Sequence, residues 1–334
     1  MIERWPLSYG TSLVLLVLSS LALTVVSLMI GDTSLNILAA SADLIHGREG
    51  LASLIFLELR LPRAILGFLT GFSLGITGAA MQGLLRNPLA EPGVMGVSGA
   101  AALGAVIVFY SGLAGIISFA LPLGGFAGAV VASIILYALA GRGAGTMTLV
   151  LAGVAINSLA GALTALALNL SPNPFAAMEI VFWLMGSLTD RSLSDVALVI
   201  APMMFGWALL LMSAPALDAL SLGEEVAQSL GFNLRRLRVQ LIAGTALAVG
   251  SAVAVTGVVG FVGLVVPHLV RPLAHRKPSR VLLLSGFAGA ILTLCADIGL
   301  RLLPIQPELN LGVVTALIGA PFLFVLIQRL QERP

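Results

Sequence analysis

Stretches of about twenty apolar residues recur along this chain, each long enough to cross the ~30 Å hydrocarbon core of a bilayer as a helix. Ten can be marked in the 334 residues, at about 11–30, 64–83, 93–111, 115–140, 147–169, 196–213, 239–258, 260–272, 281–300 and 311–328. With 59% hydrophobic residues, 10% charged residues and 37 glycines, the composition excludes a soluble globular protein. The expected fold is an all-α membrane protein, a polytopic bundle of ten transmembrane helices forming one domain over 1–334. The run at 260–272 is short and contains Pro267, which predicts a broken or partial helix. The first run exceeds a signal-peptide core; although Ala40 and Ala42 mimic a cleavage site, nine further apolar runs make it a first transmembrane helix.

Orientation follows from the basic residues. Ten spans with a cytoplasmic N-terminus leave both termini inside. Twelve Lys and Arg residues then face the cytoplasm, and five (Arg48, Arg60, Arg63, Arg191 and Arg301) face out, together the 17 of the chain. Twelve against five gives N-in and C-in. The outer loops are 31–63, with a possible amphipathic helix at 35–45, and 170–195, with a short interfacial helix expected at 175–185. The longest cytoplasmic loop is 213–238.

That loop concentrates charge: Asp218, Glu224, Glu225, Arg235, Arg236 and Arg238. Residues 214–220 and 224–230 are strong helix formers, with Ser221 placed to cap the second piece and Gly231 to stop it. Two short helices with apolar and charged faces suit the docking of a soluble partner, an ordinary solvated loop being the plainer alternative.

Glycines at three- and four-residue spacing (Gly67, Gly71, Gly75, Gly78; also Gly124 and Gly128) let helices approach closely and predict one dense bundle. No phosphate-binding loop is present, because Lys277, the only lysine, is followed by Pro278. Asp297 is the one acid inside a run. It lies near the outer end, four residues before Arg301, where an i,i+4 ion pair explains it better than ion coupling. Gly96-Val97-Ser98-Gly99 matches an intramembrane protease pattern by chance more readily than by function. His46, His268 and His275 lack zinc-site spacing, and Cys295 is the lone cysteine, so no metal site and no catalytic residue is expected. The outer arginines Arg60, Arg63 and Arg301 suit either snorkelling to lipid headgroups or docking of an acidic external partner.

Four phrases, RLPRAILGFLTGFSLGITGAAMQGLLRNPLAEPGVMGVSGAAALGA, SLGEEVAQSLG, VTGVVGFVGLVVPHLVR and LGVVTALIGAPFLF, closely resemble the FecCD family across nearly the whole chain. These are permease subunits of type II ABC importers for ferric siderophores, haem and cobalamin. The resemblance implies residence in the bacterial cytoplasmic (inner) membrane. It also implies pairing with a second permease copy, two ATP-binding subunits inside and a periplasmic substrate-binding protein outside, with no nucleic acid. ATP and Mg²⁺ would sit on the partner ATPase, and this chain would bind no cofactor. By the resemblance, Ser221, Leu222, Gly223, Glu224, Glu225, Ala227, Leu230 and Gly231 match the ATPase-coupling helices. Asn87 and Leu89 match the cytoplasmic gate; Thr146 falls at a second gate position, where GAGTMT departs from the cobalamin member. Arg60, Arg63 and Arg301 match arginines that dock the binding protein. Ala152, Gly153, Ala155, Ala160 and Gly161 match the pathway-lining span. An iron complex, ferric siderophore or haem, is the implied cargo, with cobalamin as the alternative. A homodimer is expected over a heterodimer.

Overall fold

The computed structural model describes residues 8–31, 50–117, 119–140, 146–171, 173–304 and 308–331. Helix α1 (Tyr9–Met29) begins where the Ser8 hydroxyl accepts the Thr11 N–H. Helix α2 (Leu51–Ile55) passes through a π-helical turn, Phe56–Arg60, into α3 (Leu61–Leu85). The widened turn lies just before Pro62, whose missing N–H interrupts α-helical pairing there. A 3₁₀ turn at Pro92–Met95 leads into α4 (Val97–Tyr110), followed by α5 (Ala120–Ala140) and α6 (Thr146–Asn169). A short helix α7 (Pro174–Leu184) precedes α8 (Leu193–Met212). Two loop helices, α9 (Ala214–Leu220) and α10 (Glu224–Ser229), lead to α11 (Leu234–Thr256). The chain ends with α12 (Val262–Val270), α13 (Pro278–Leu302) and α14 (Leu311–Gln331).

Among the described residues seven helices are long and apolar enough to cross a membrane: α1, the continuous α2–α3, α5, α6, α8, α11 and α13. With the shorter α4, α12 and α14, every one of the ten apolar runs becomes a helix. The broken helix expected around Pro267 is α12. The interfacial helix expected at 175–185 is α7, while the one expected at 35–45 falls outside the described residues.

Helix α3 is the hub, buried on nearly all sides and packed most extensively on α13. The glycine stripe explains the closeness. A Cβ at Gly71 would lie 2.7 Å from the Ala290 Cα, and one at Gly75 would fall on the Ser285 carbonyl. The last glycine of the stripe, Gly78, turns instead to α12 and meets the Gly263 carbonyl. A second seam joins α4 to α5, where Gly104 meets the backbone of Gly124 and Gly128 meets that of Ala100. Lipid tails are as apolar as the helices, so this backbone-on-backbone packing supplies cohesion that hydrophobicity cannot.

Two ends of the bundle follow from side-chain contacts. At one, the Arg280 guanidinium lies 4.9 Å over the Tyr9 ring, joining the starts of α1 and α13, and α9 sits beside them. At the other, the Gly312 N–H opening α14 donates to the Gly186 carbonyl, and the Ser187 N–H donates to the carbonyl of Thr256, where α11 stops. The loop 213–238 and the start of α1 thus share an end, as the charge distribution predicts.

Candidate functional site

The 213–238 loop is a rigid platform. Leu217 and Leu220 of α9 are buried, and Leu217 packs against Gly83 near the end of α3. Asp218 is the key polar residue: Oδ1 accepts the Ser279 N–H at 2.8 Å, and Oδ2 lies 3.3 Å from the Lys277 ammonium. It thereby satisfies an open donor in the first turn of α13 from a different helix. Ser221 does not cap α10 as expected. Its hydroxyl turns back to the Asp218 carbonyl, and the cap position belongs to Gly223, at φ 122, where a side chain would be strained. Gly231, at φ 87, closes α10 as expected. The Glu224 carboxylate lies 3.2 Å from Arg238 on α11, and Arg235 donates to the Tyr137 hydroxyl on α5. Ala227 is fully buried, whereas Leu222, Val226 and Leu230 are 67%, 41% and 60% exposed. Val226 and Leu230 follow one another at helical spacing on α10, Leu222 stands in the turn before it, and Glu225 is exposed among them.

The stretch between α3 and α4 is a tight turn at the same end. Arg86, at φ 49, ends α3, and the Asn87 side chain accepts the Leu89 N–H at 2.9 Å. Asn87 is exposed and Leu89 half-buried. Thr146 opens α6, and its side chain lies outside the described residues. Glu91 accepts the Phe261 N–H at 2.7 Å at the start of α12. Burial raises its carboxyl above the ordinary range, and that N–H pulls the other way. Pro267 cannot donate to the Gly263 carbonyl four residues earlier. The buried Gln82 on α3 compensates: its amide nitrogen lies 3.5 Å from that carbonyl and 3.2 Å from Leu264 O, and its oxygen accepts from Arg271 at 2.6 Å. Gln82 and Glu91 escaped the sequence reading. The signal for Gln82 was its polarity within an apolar run that faces a proline-broken neighbour.

The five small residues of α6 divide between two faces. Ala152, Gly153 and Ala160 are buried, Gly153 against Val94 and Met95, whereas Ala155 and Gly161 lie on the exposed face with Leu151, Val154 and Leu159.

The outer arginines are turned inward. Arg60 donates to the Leu28 and Met29 carbonyls, and Arg301 to those of Ser27 and Ile30. Two guanidinium groups thus satisfy the last carbonyls of α1, where the helix dipole is negative. Asp297, 1% exposed, pairs with Arg301 at 2.7 Å, the expected i,i+4 bridge, and also with Arg63 at 2.8 Å. Arg63 reaches further to Glu308, which accepts from Thr189 too. These arginines therefore belong to a partly buried network and do not form a free rim patch.

Comparison with known proteins fixes what such a bundle belongs to. The profile of the FecCD transport family matches residues 16–329. The chain belongs to the FecCD transport family. This permease is 35% identical over 324 residues to the hemin transport system permease protein HmuU of Yersinia pestis, covering 95% of this chain and 97% of that one. It is 38% identical over 332 residues to the vitamin B12 import system permease protein BtuC of Vibrio vulnificus, covering 98% and 95%. A solved structure described as an inward-facing metal-chelate type ABC transporter superposes with TM-score 0.84 at 29% identity, covering 96% of this permease and 99% of that chain. As a FecCD permease it is a multi-pass subunit of an ABC importer, resident in the cytoplasmic membrane.

Proposed function

We propose that this permease carries a metal chelate, a ferric siderophore or haem, through a pathway formed with a second copy of itself. Two ATP-binding subunits on the 213–238 loops would drive it, and a periplasmic protein would deliver the cargo. The observation that carries the reading is the exposure of three apolar side chains, Leu222, Val226 and Leu230, on a loop pinned by Asp218 and Glu224. A rigid platform with exposed apolar side chains transmits a partner's movement; a flexible loop dissipates it. Relatives named for hemin, vitamin B12 and Fe(3+)-citrate support the cargo class. Cobalamin is kept as the second cargo because BtuC relatives match at 37% and 38% identity over nearly the full chain.

In this reading the segment around Asn87 and Leu89, with Thr146, closes the cytoplasmic end, and the exposed face of α6 lines the pathway. Binding-protein acids that dock on Arg60, Arg63 and Arg301 exchange for the partners these arginines now hold, with Glu308 the most accessible of those acids. The test is reconstitution with the ATP-binding subunit and binding protein in vesicles, measuring ATP-dependent uptake of haemin, ferric siderophore and cobalamin separately. Uptake of one chelate that stops without ATP supports the reading. Uptake by the permease alone contradicts it.

A further inference from the structure

Segment 91–96 is wedged between two helices of different kinds. On one side the Pro92 ring lies 3.0 Å from where a Cβ of Gly263 on α12 would stand. On the other, a Cβ at Gly153 on α6 would come within 2.7 Å of the Met95 Cα, and one at Gly96 within 2.8 Å of Ile156. The segment therefore follows whichever helix it is fastened to. One polar contact makes the choice: Glu91 Oε1 accepts the Phe261 N–H at 2.7 Å. Phe261 is the cap residue of α12, held at φ 66 with its ring seated on Gly319 of α14. A carboxylate at this helix start also complements the dipole.

The far end of α12 is fastened as well. Arg271 grips Gln82, and the turn that follows runs to Lys277 and Ser279, both held by Asp218 of the loop platform. Helix α12 is thus a short strut with the platform at one end and Glu91 at the other.

We propose that Glu91 is a positioning residue, fastening the gate segment to the start of α12 so that movement entering from the 213–238 platform moves the gate. The inference rests on the importer reading above and adds the element through which the platform acts. What matters is the reach and acceptor oxygen of the side chain. The isosteric Glu91→Gln keeps both, Glu91→Asp keeps the charge but falls one methylene short, and Glu91→Ala keeps neither.

Gly93 offers a reporter within the segment, since a Cβ there meets nothing within 4 Å. The chain's single cysteine, Cys295, is first replaced by serine. Gly93→Cys is then labelled with a water-soluble maleimide in the complex with the ATP-binding subunit, with and without ATP. Assembly of each variant is checked by co-elution. The inference expects ATP to change the labelling rate at least about fivefold with Glu91 and in Glu91→Gln, the range typical of coupled sites. It expects the change to vanish in Glu91→Ala and Glu91→Asp while ATP hydrolysis continues. If Glu91→Ala fails to assemble, the Gln and Asp pair decides. An ATP-dependent change that persists in Glu91→Asp, or vanishes in Glu91→Gln, overturns the inference and leaves the importer reading standing. A parent that shows no ATP-dependent change overturns both.

Discussion

Asp218 on α9 accepts the backbone N–H of Ser279 at 2.8 Å, so a residue of the cytoplasmic loop caps a helix that runs the depth of the bundle. The loop is thereby part of the helical framework, joined to α13 and to the turn between α12 and α13.

Replacing Asp218 with alanine removes that cap. Loss of a cap costs about 1 kcal/mol, up to ~2 kcal/mol. The half-exposed Lys277 pair adds little. The chain should still fold, with a modestly lower thermal midpoint and faster hydrogen exchange at Ser279 and through α9. Unchanged exchange at both places would show that the loop is held by its apolar contacts alone.

Gly78→Ala should be far more damaging than its single methyl suggests. The added Cβ falls on the Gly263 carbonyl, a backbone atom that cannot rotate away. Overpacking of this kind costs about 1–3 kcal/mol or more, and it pushes α12 off α3. Gly93→Ala, where space is open, should be silent. Equal thermal midpoints for the two variants would contradict the close α3–α12 contact.

Asp297→Ala strips the shared partner from two arginines, Arg63 and Arg301, that are largely buried. Breaking a buried pair costs about 3–5 kcal/mol. The more exposed Glu308, in Glu308→Gln, should cost much less, because its amide still accepts from Arg63. The order of midpoints in detergent, Asp297→Ala well below Glu308→Gln, checks this. The reverse order would mean that Glu308 is the anchor of the network.

The sequence reading located all ten helices because each rests on a local property, the length of an apolar run. Pro267 marked the broken helix for the same reason. The four-residue spacing also made the Asp297–Arg301 bridge legible. Contacts between distant segments were not. Glu308 joins Arg63 across the whole chain, and Gln82 serves α12 from α3; neither pairing has a signature along the sequence. Ser221 was misassigned because cap preference favours serine, whereas the turn between α9 and α10 needs the φ of 122 that Gly223 alone supplies. For the outer arginines the sequence offers lipid headgroups or an acidic partner, and it carries no signature of the α1 carbonyls that two of them meet.

Retention of the ATP-binding subunit on a tagged permease, purified from its native membrane in mild detergent, tests the role of the 213–238 loop. The subunit should co-purify with the parent chain. Val226→Asp, which puts a charge among the exposed apolar side chains, and Glu224→Arg, which frees α10 from α11, should each release it. Co-purification undiminished in both variants, with the fold intact, would contradict the assignment of 213–238 as the driving contact.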